Sequence, residues 1–296
     1  MNKPEQIVDG LGAGEGPVWC DDGTVVVTSV DQGVLYRVWP AEGRKVLLAR
    51  TGGGPNGATP AAGGGFIVTQ NGGFDFRMFG LQIAAPDRVE PGLQSVTAGG
   101  AVTYLVAGGF NSPNDLVVDA AGTLYFTDPQ RYPHEPGDRG GRIWSLRPGA
   151  QPQLFAQDFA YCNGIGLDGS GQVILIEDEG LSLAVPGRPR EWVIERLGSP
   201  GDGFCRDRDG RFYVCLPGLH GVRVVEDGRA VDFLEVPFDP APQFGREPLG
   251  WVTNCCFGGP DMRTLFVTTG FPGRLVAFEH MPAPGAVVHP WRGVAG

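Results

Sequence analysis

Glu15, Asn56, Asn114, Asn163, Asp202 and Asn254 recur along this chain at intervals of 41, 58, 49, 39 and 52 residues. Each is an acid or an amide beside a turn-forming residue or at the head of an apolar run. The first five each stand eight residues before a glycine, namely Gly23, Gly64, Gly122, Gly171 and Gly210, whereas the last, leading to Gly259, is irregular. A single Asn or Asp at a strand start is ordinarily a turn former. Six in register are harder to attribute to turns alone. Brought together, Glu15, Asn114, Asn163 and Asp202 would supply two carboxylates and two amide carbonyls. Such hard oxygen donors suit Ca²⁺ first, then Mg²⁺ or Mn²⁺. The set lacks imidazole and thiolate, which leaves Zn²⁺ the last of the possible divalent ions. Two carboxylates facing each other in a narrow space repel, and a bound cation relieves the repulsion.

These residues need a scaffold that returns to one place six times. After each turn comes a second β-rich run, at 24–28, 66–69, 123–127, 173–176, 211–214 and 264–268. The average interval, about 48 residues, matches the ~40–50 residues of one four-stranded propeller blade. No convincing amphipathic helix longer than two turns interrupts the pattern. The 49 Gly and 26 Pro fall between apolar runs, where they read as turn chemistry. The expected fold is therefore all-β, a six-bladed β-propeller with a central metal site, formed by residues 1–296 as one domain. First strands would line the channel, and residues 1–14 would supply a strand that closes the ring. A pair of β-sandwiches would not explain why one polar type returns at the head of every unit.

A formal charge of −10 argues against a nucleic-acid partner, whose footprint would be basic. No apolar run reaches the ~18 residues of a membrane span, and residues 1–6 lack the apolar core of a signal peptide. Six cysteines without a CxxC pair, in a chain able to build a core, imply free thiols and a reduced, cytoplasmic setting. Gly52-Gly53-Gly54-Pro55-Asn56-Gly57 fits a nucleotide-binding pattern, but no βαβ unit follows. Neither a GxSxG elbow nor an HExxH pair is present.

Gly14-Glu15-Gly16-Pro17-Val18-Trp19, Asn111-Ser112-Pro113-Asn114-Asp115, Tyr125-Phe126-Thr127-Asp128-Pro129, Cys162-Asn163-Gly164 and Gly201-Asp202-Gly203 resemble the senescence marker protein 30/gluconolactonase/luciferin-regenerating-enzyme family over nearly the whole chain. The resemblance implies a six-bladed propeller with a divalent ion in its channel and hydrolysis of lactones, a carboxylic-ester chemistry. It implies that Glu15, Asn163 and Asp202 hold the metal, that Asn114 contacts metal or substrate, and that Asp202 also serves as general base. In the sugar-lactonase branch an Arg often stands two residues before that Asn; here the place is taken by Ser112.

Further candidates come from position. Ser112, two residues before Asn114, Asp128, at a strand end before Pro129, and His220, after the second run of the fifth repeat, are candidates for lining the substrate pocket. Asp115 is expected to be a turn residue, since strand alternation points it away from Asn114. Trp19, Trp144 and Trp251 are expected in the core. Phe74 and Phe76 are expected either as a lip over the channel or as buried residues. The expected substrate is a small-molecule lactone or ester, sugar lactones included. Organophosphate-type ester hydrolysis at the same site, or a non-catalytic propeller with a structural cation, are the competing functions.

Overall fold

The computed structural model describes residues 3–84, 86–132, 135, 137–188, 190–237 and 251–293. Among them the chain forms six antiparallel four-stranded sheets. The first blade comprises Gly14–Trp19, Val25–Ser29, Val34–Trp39 and Arg44–Arg50. The second comprises Pro55–Ala61, Gly65–Gln70, Gly92–Val96 and Val102–Ala107, and the third Leu116–Val118, Leu124–Asp128, Gly141–Leu146 and Gln153–Phe159. The fourth is built of Cys162–Leu167, Val173–Glu177, Gly180–Leu183 and Glu191–Ile194, and the fifth of Phe204–Arg206, Phe212–Leu216, Gly221–Glu226 and Arg229–Glu235. Val252–Gly258, Thr264–Thr269 and Leu275–Phe278 make up most of the sixth, whose outer strand is Glu5–Val8 from the start of the chain. The ring is thus latched by pairing Glu5 with Ala277 and Gln6 with Val276.

Burial explains the sequence pattern of each blade. Second strands such as Val25–Ser29, Gly65–Gln70 and Phe212–Leu216 are buried at every residue, because neighbouring blades cover both faces. They accordingly read as continuous apolar runs rather than alternating ones. Outer strands such as Arg229–Glu235 and Arg44–Arg50 are largely exposed. The core lies between blades: Val18, Val26 and Leu35 of the first pack with Phe66, Val68 and Val96 of the second. Tyr213, Cys215 and Val222 of the fifth pack with Cys255, Leu265 and Val267 of the sixth. All six cysteines are free, and three of them serve as small core residues there.

Two devices set the inner ring. The first is a bulge in the opening strand of a blade. Pairing slips by one residue between Glu15 and Val18, between Pro55 and Ala58, between Cys162 and Ile165, and between Val252 and Cys255. The second is a threonine near the end of the second strand, whose hydroxyl donates to a carbonyl of the next blade. Thr28 donates to Asn56, Thr69 to Asn114, and Thr127 to Asn163 at 2.7 Å. Ile176 and Cys215 occupy the same place in the fourth and fifth blades. Their junctions are closed instead by the Gly164 N–H on the Asp202 carbonyl (3.2 Å) and the Gly203 N–H on the Thr253 carbonyl (2.7 Å).

Candidate functional site

The bulge register fixes which residues are equivalent. Gly14 pairs with Ser29, Pro55 with Gln70, Cys162 with Glu177 and Val252 with Thr269. The next residue in each case heads the ring, giving Glu15, Asn56, Asn163 and Thr253; Asn114 and Asp202 hold the same place in the two remaining blades. Asn254 therefore does not occupy the sixth ring position, as its sequence spacing suggested; Thr253 does. The following position reads Gly16, Gly57, Asp115, Gly164, Gly203 and Asn254.

Four of those six are glycine for a steric reason. A Cβ on Gly57 would lie 2.5 Å from Asp115 Oδ1, and one on Gly203 only 2.1 Å from Asn254 Cγ. The space the glycines leave is filled from the third and sixth blades, which face each other across the axis. Asn254 Nδ2 donates to Asp115 Oδ2 at 3.2 Å, both residues being buried. Asp115 is thus not a peripheral turn residue. Strand alternation would have turned it away from the ring, but Asn114 and Asp115 both face Thr127, whose carbonyl accepts from the Asn114 N–H (2.9 Å) and whose N–H donates to the Asp115 carbonyl (3.0 Å), so an extra residue breaks the alternation here too.

Three carboxylates meet in this ring. Burial pushes the Glu15 carboxyl well above the usual range, and the charges of Asp202 and Asp115 push it further. The Gly16 N–H on Glu15 Oε2 (3.0 Å) and the Asn254 amide oppose the shift. Burial raises Asp202 to about 8, against a stabilising hydrogen bond from the Asn163 side chain and with the Asp115 charge adding to the rise. Burial also raises Asp115 to about 6, opposed by the Leu116 N–H (2.9 Å) and by Asn254. No cationic side chain is among the principal influences on any of the three. Asn114 is buried beside them, and its carbonyl accepts from Gly57 N–H at 2.8 Å.

A divalent ion suits the chemistry of this ring, though the ion itself is not part of the structure. The donors are all oxygens, no cationic side chain of the described residues is among the principal influences on the acids, and the buried Asn56 Oδ1 has no hydrogen-bond partner among the described residues. Among the described residues no three His, Cys, Asp or Glu side chains are gathered closely enough to hold a metal ion. The acids are turned instead onto protein donors: Glu15 onto Gly16, Asp115 onto Asn254, and Asp202 onto Asn163.

The remaining candidates lie around this ring. Asp128 is fully buried, and both its oxygens are engaged. Oδ1 accepts from the backbone N–H groups of Asn111 and Ser112, each at 2.8 Å, while Oδ2 accepts from Arg142 (2.6 Å) and Trp144 Nε1 (3.1 Å). It therefore holds the segment leading to Asn114 rather than lining a pocket, which corrects its expected role. Ser112, half-buried, is fixed by that same bond. His220 caps the turn Pro217–Leu219 with φ +54 on the face where the ring opens, and its charge is not among the groups acting on the three acids.

Sequence reasoning missed an aromatic group over the ring. Tyr161 and Tyr132 are raised by burial and feel Asp202, and Tyr161 also feels Glu15. Their rings are 5.0 Å apart. Tyr132 continues to Phe74 (5.6 Å) and Phe79 (6.2 Å), and Phe79 to Trp251 (6.0 Å). Trp251 is therefore part of this group and not of a blade interior. It precedes the first strand of its blade, where the chain emerges at the ring's open face. Phe76 is buried and Phe74 half-buried, so the two expected roles of that pair are shared between them.

Residues 13–271 match the family described as SMP-30/Gluconolactonase/LRE-like region. The chain belongs to this family. A gluconolactonase of Zymomonas mobilis is 25% identical over 298 residues, covering 89% of this chain and 78% of that protein. A regucalcin of Xenopus laevis is 32% identical over 74 residues, which span 24% of this chain and only 21% of the relative. Among solved structures, a luciferin-regenerating enzyme superposes with a TM-score of 0.78 at 15% identity, covering 99% of this chain and 100% of that one. A gluconolactonase of Xanthomonas campestris gives 0.70 at 22% identity, over 93% and 89% of the two chains.

Proposed function

We propose that this protein is a divalent-cation-dependent lactone hydrolase. What carries the reading is the ring of buried Glu15 and Asp115 and half-buried Asp202, set among amide oxygens with no cationic side chain of the described residues among its principal influences, in a chain whose relatives include gluconolactonases. Glu15, Asn163 and Asp202 would hold the ion, with Asn114 beside them. A bound divalent ion supplies Lewis acidity, which stabilises charge building on the ester carbonyl oxygen during attack.

The chain's own groups supply proton transfer and orientation. With an ion held beside it Asp202 would be deprotonated, and a carboxylate oxygen not given to the ion can accept a proton, the role of a general base. Its deprotonated form takes a proton from water as the water oxygen bonds to the carbonyl carbon. The ring C–O bond then breaks, the proton passes to the departing alkoxide, and a hydroxy acid results. Asn163 orients the Asp202 carboxylate through its hydrogen bond. Asp128 anchors Asn111 and Ser112 and so sets where Asn114 enters the ring.

A pH-indicator assay over a panel of lactones, on protein stripped of metal and refilled with Ca²⁺, Mg²⁺, Mn²⁺ or Zn²⁺ in turn, tests this. Turnover is expected only in the refilled protein. Asp202→Asn is expected to lower kcat at least ~100-fold, the scale of one general base, with the far-UV spectrum unchanged. Full activity of that variant would remove Asp202 from the role. A protein that loses its fold on stripping yet turns over no ester would instead be a binding scaffold with a structural ion.

A further inference from the structure

We infer that the substrate is an uncharged lactone carrying an apolar alkyl or aryl substituent, seated against the aromatic group at the channel mouth; this rests on the lactonase reading above. The group is built from segments that all emerge at the open end of the acid ring. Phe74 and Phe79 come from the long connection between Gly65–Gln70 and Gly92–Val96. Tyr132 follows the second strand of the third blade, Tyr161 precedes the fourth, and Trp251 and Phe271 flank the first two strands of the sixth. Their rings form one connected series, and Trp251 reaches Phe271 at 6.4 Å.

The series is anchored rather than loose. Phe76 is buried with Ala13, Val30 and Leu81, and Phe74, Trp251 and Phe271 pack against that cluster. Ala13 stands two residues before Glu15, so the wall is tied to the acid ring itself. Above the anchor the group is open to solvent: Phe79 is 44% exposed and Tyr132 41%. Phe79 and its neighbour Met78 thus present apolar surface beside Tyr132 and Trp251.

Among the described residues, the arginines at this mouth are already engaged. Arg77 is tied to Asp75, Arg88 to the Gly73 carbonyl, and Arg131 to the Asn111 carbonyl. A polyhydroxylated sugar lactone would need a partner for each hydroxyl it desolvates. An apolar tail needs only surface, and the rings provide it. With Arg77, Arg88 and Arg131 engaged, the described part of the mouth favours an uncharged substrate.

The test compares δ-valerolactone, δ-octalactone and δ-decalactone with glucono-1,5-lactone on the metal-loaded protein. The ratio kcat/KM is expected to rise roughly threefold to fourfold per added methylene while the tail is being covered, and to exceed that for the sugar lactone by at least ~10-fold. Phe79→Ser and Trp251→Ser are expected to flatten the slope. A slope near one, or preference for the sugar lactone, would overturn the inference. Calorimetric titration with the matching δ-lactams separates it from the reaction itself. Tail-dependent binding without hydrolysis of any lactone would sink the lactonase reading and leave the apolar subsite standing. Lactam binding indifferent to tail length would sink the subsite.

Discussion

Asp115 and Asp202 share one buried ring yet hold protons with different strength, about 6 against about 8. Burial raises both; Asp115 is held down by the Leu116 N–H and Asn254, whereas Asp202 is held down by Asn163 and feels the Asp115 charge. Both values exceed the ~3.9 of an unfolded Asp. An acid with a raised folded value binds its proton more tightly when folded. Its contribution to stability is therefore complete below pH ~4 and is lost as pH rises through the folded values. The metal-free protein is expected to lose stability between about pH 4 and pH 8, followed as a falling urea midpoint. Asp115→Asn deletes one of the charges, at the cost of one of the two bonds its oxygens accept from the Leu116 N–H and Asn254, so it should shallow that fall; an unchanged pH dependence would show that Asp115 does not titrate in this window. Saturating Ca²⁺ should flatten it in the same way, adding about 2.7 kcal/mol when present at a hundred times its dissociation constant.

At the scale of the strand, the bulge and the glycines decide what enters the channel. Gly203→Ala is expected to cost about 1–3 kcal/mol by overpacking, because its Cβ would meet the Asn254 side chain at 2.1 Å. Gly23→Ala, with nothing within 4 Å but φ +80, should suffer from backbone strain alone. Chemical denaturation of the two variants checks this, and the divergence should appear in metal affinity, which only the first should lower. Thr127→Val removes the hydroxyl that bonds the Asn163 carbonyl (2.7 Å) and is expected to cost about 1–2 kcal/mol. The spacing of acids and amides made the blade count and the residues Glu15, Asn114, Asn163 and Asp202 legible, because repeated strand–turn–strand units fix both. Asp115, Asn254 and the aromatic mouth were not legible in the same way. Asp115 depended on a one-residue bulge that alternation cannot foresee, and Phe74, Phe79, Tyr132 and Trp251 meet across three separate segments. One signal for Asp115 was present: glycine fills four of the six equivalent positions, and a non-glycine among them marks the place where the axis is occupied.

The whole ring depends on a junction between the two ends of the described chain. Glu5–Val8 pairs with Leu275–Phe278, and Val8 and Leu11 pack with Val25, Val27, Phe266 and Leu275 between the first and sixth blades. That cluster lies behind Gly14, whose carbonyl accepts from Thr253 at 2.6 Å, so the latch and the acid ring share a blade interface. Without the strand, Leu275–Phe278 becomes an open edge with unpaired backbone groups, and the first and sixth blades lose a common core. Deleting residues 3–8 removes the burial of Val8 and the ladder bonds together, a loss on the order of 3–5 kcal/mol. Because every blade interface is closed through the same ring, that loss should lower the midpoint of the entire molecule instead of melting one blade. The expected outcome is a single transition at lower urea, with tryptophan fluorescence and far-UV circular dichroism still coincident. Two separated transitions would mean that the sixth blade unfolds alone, and Glu15 would then lie beside a hinge rather than in a fixed ring.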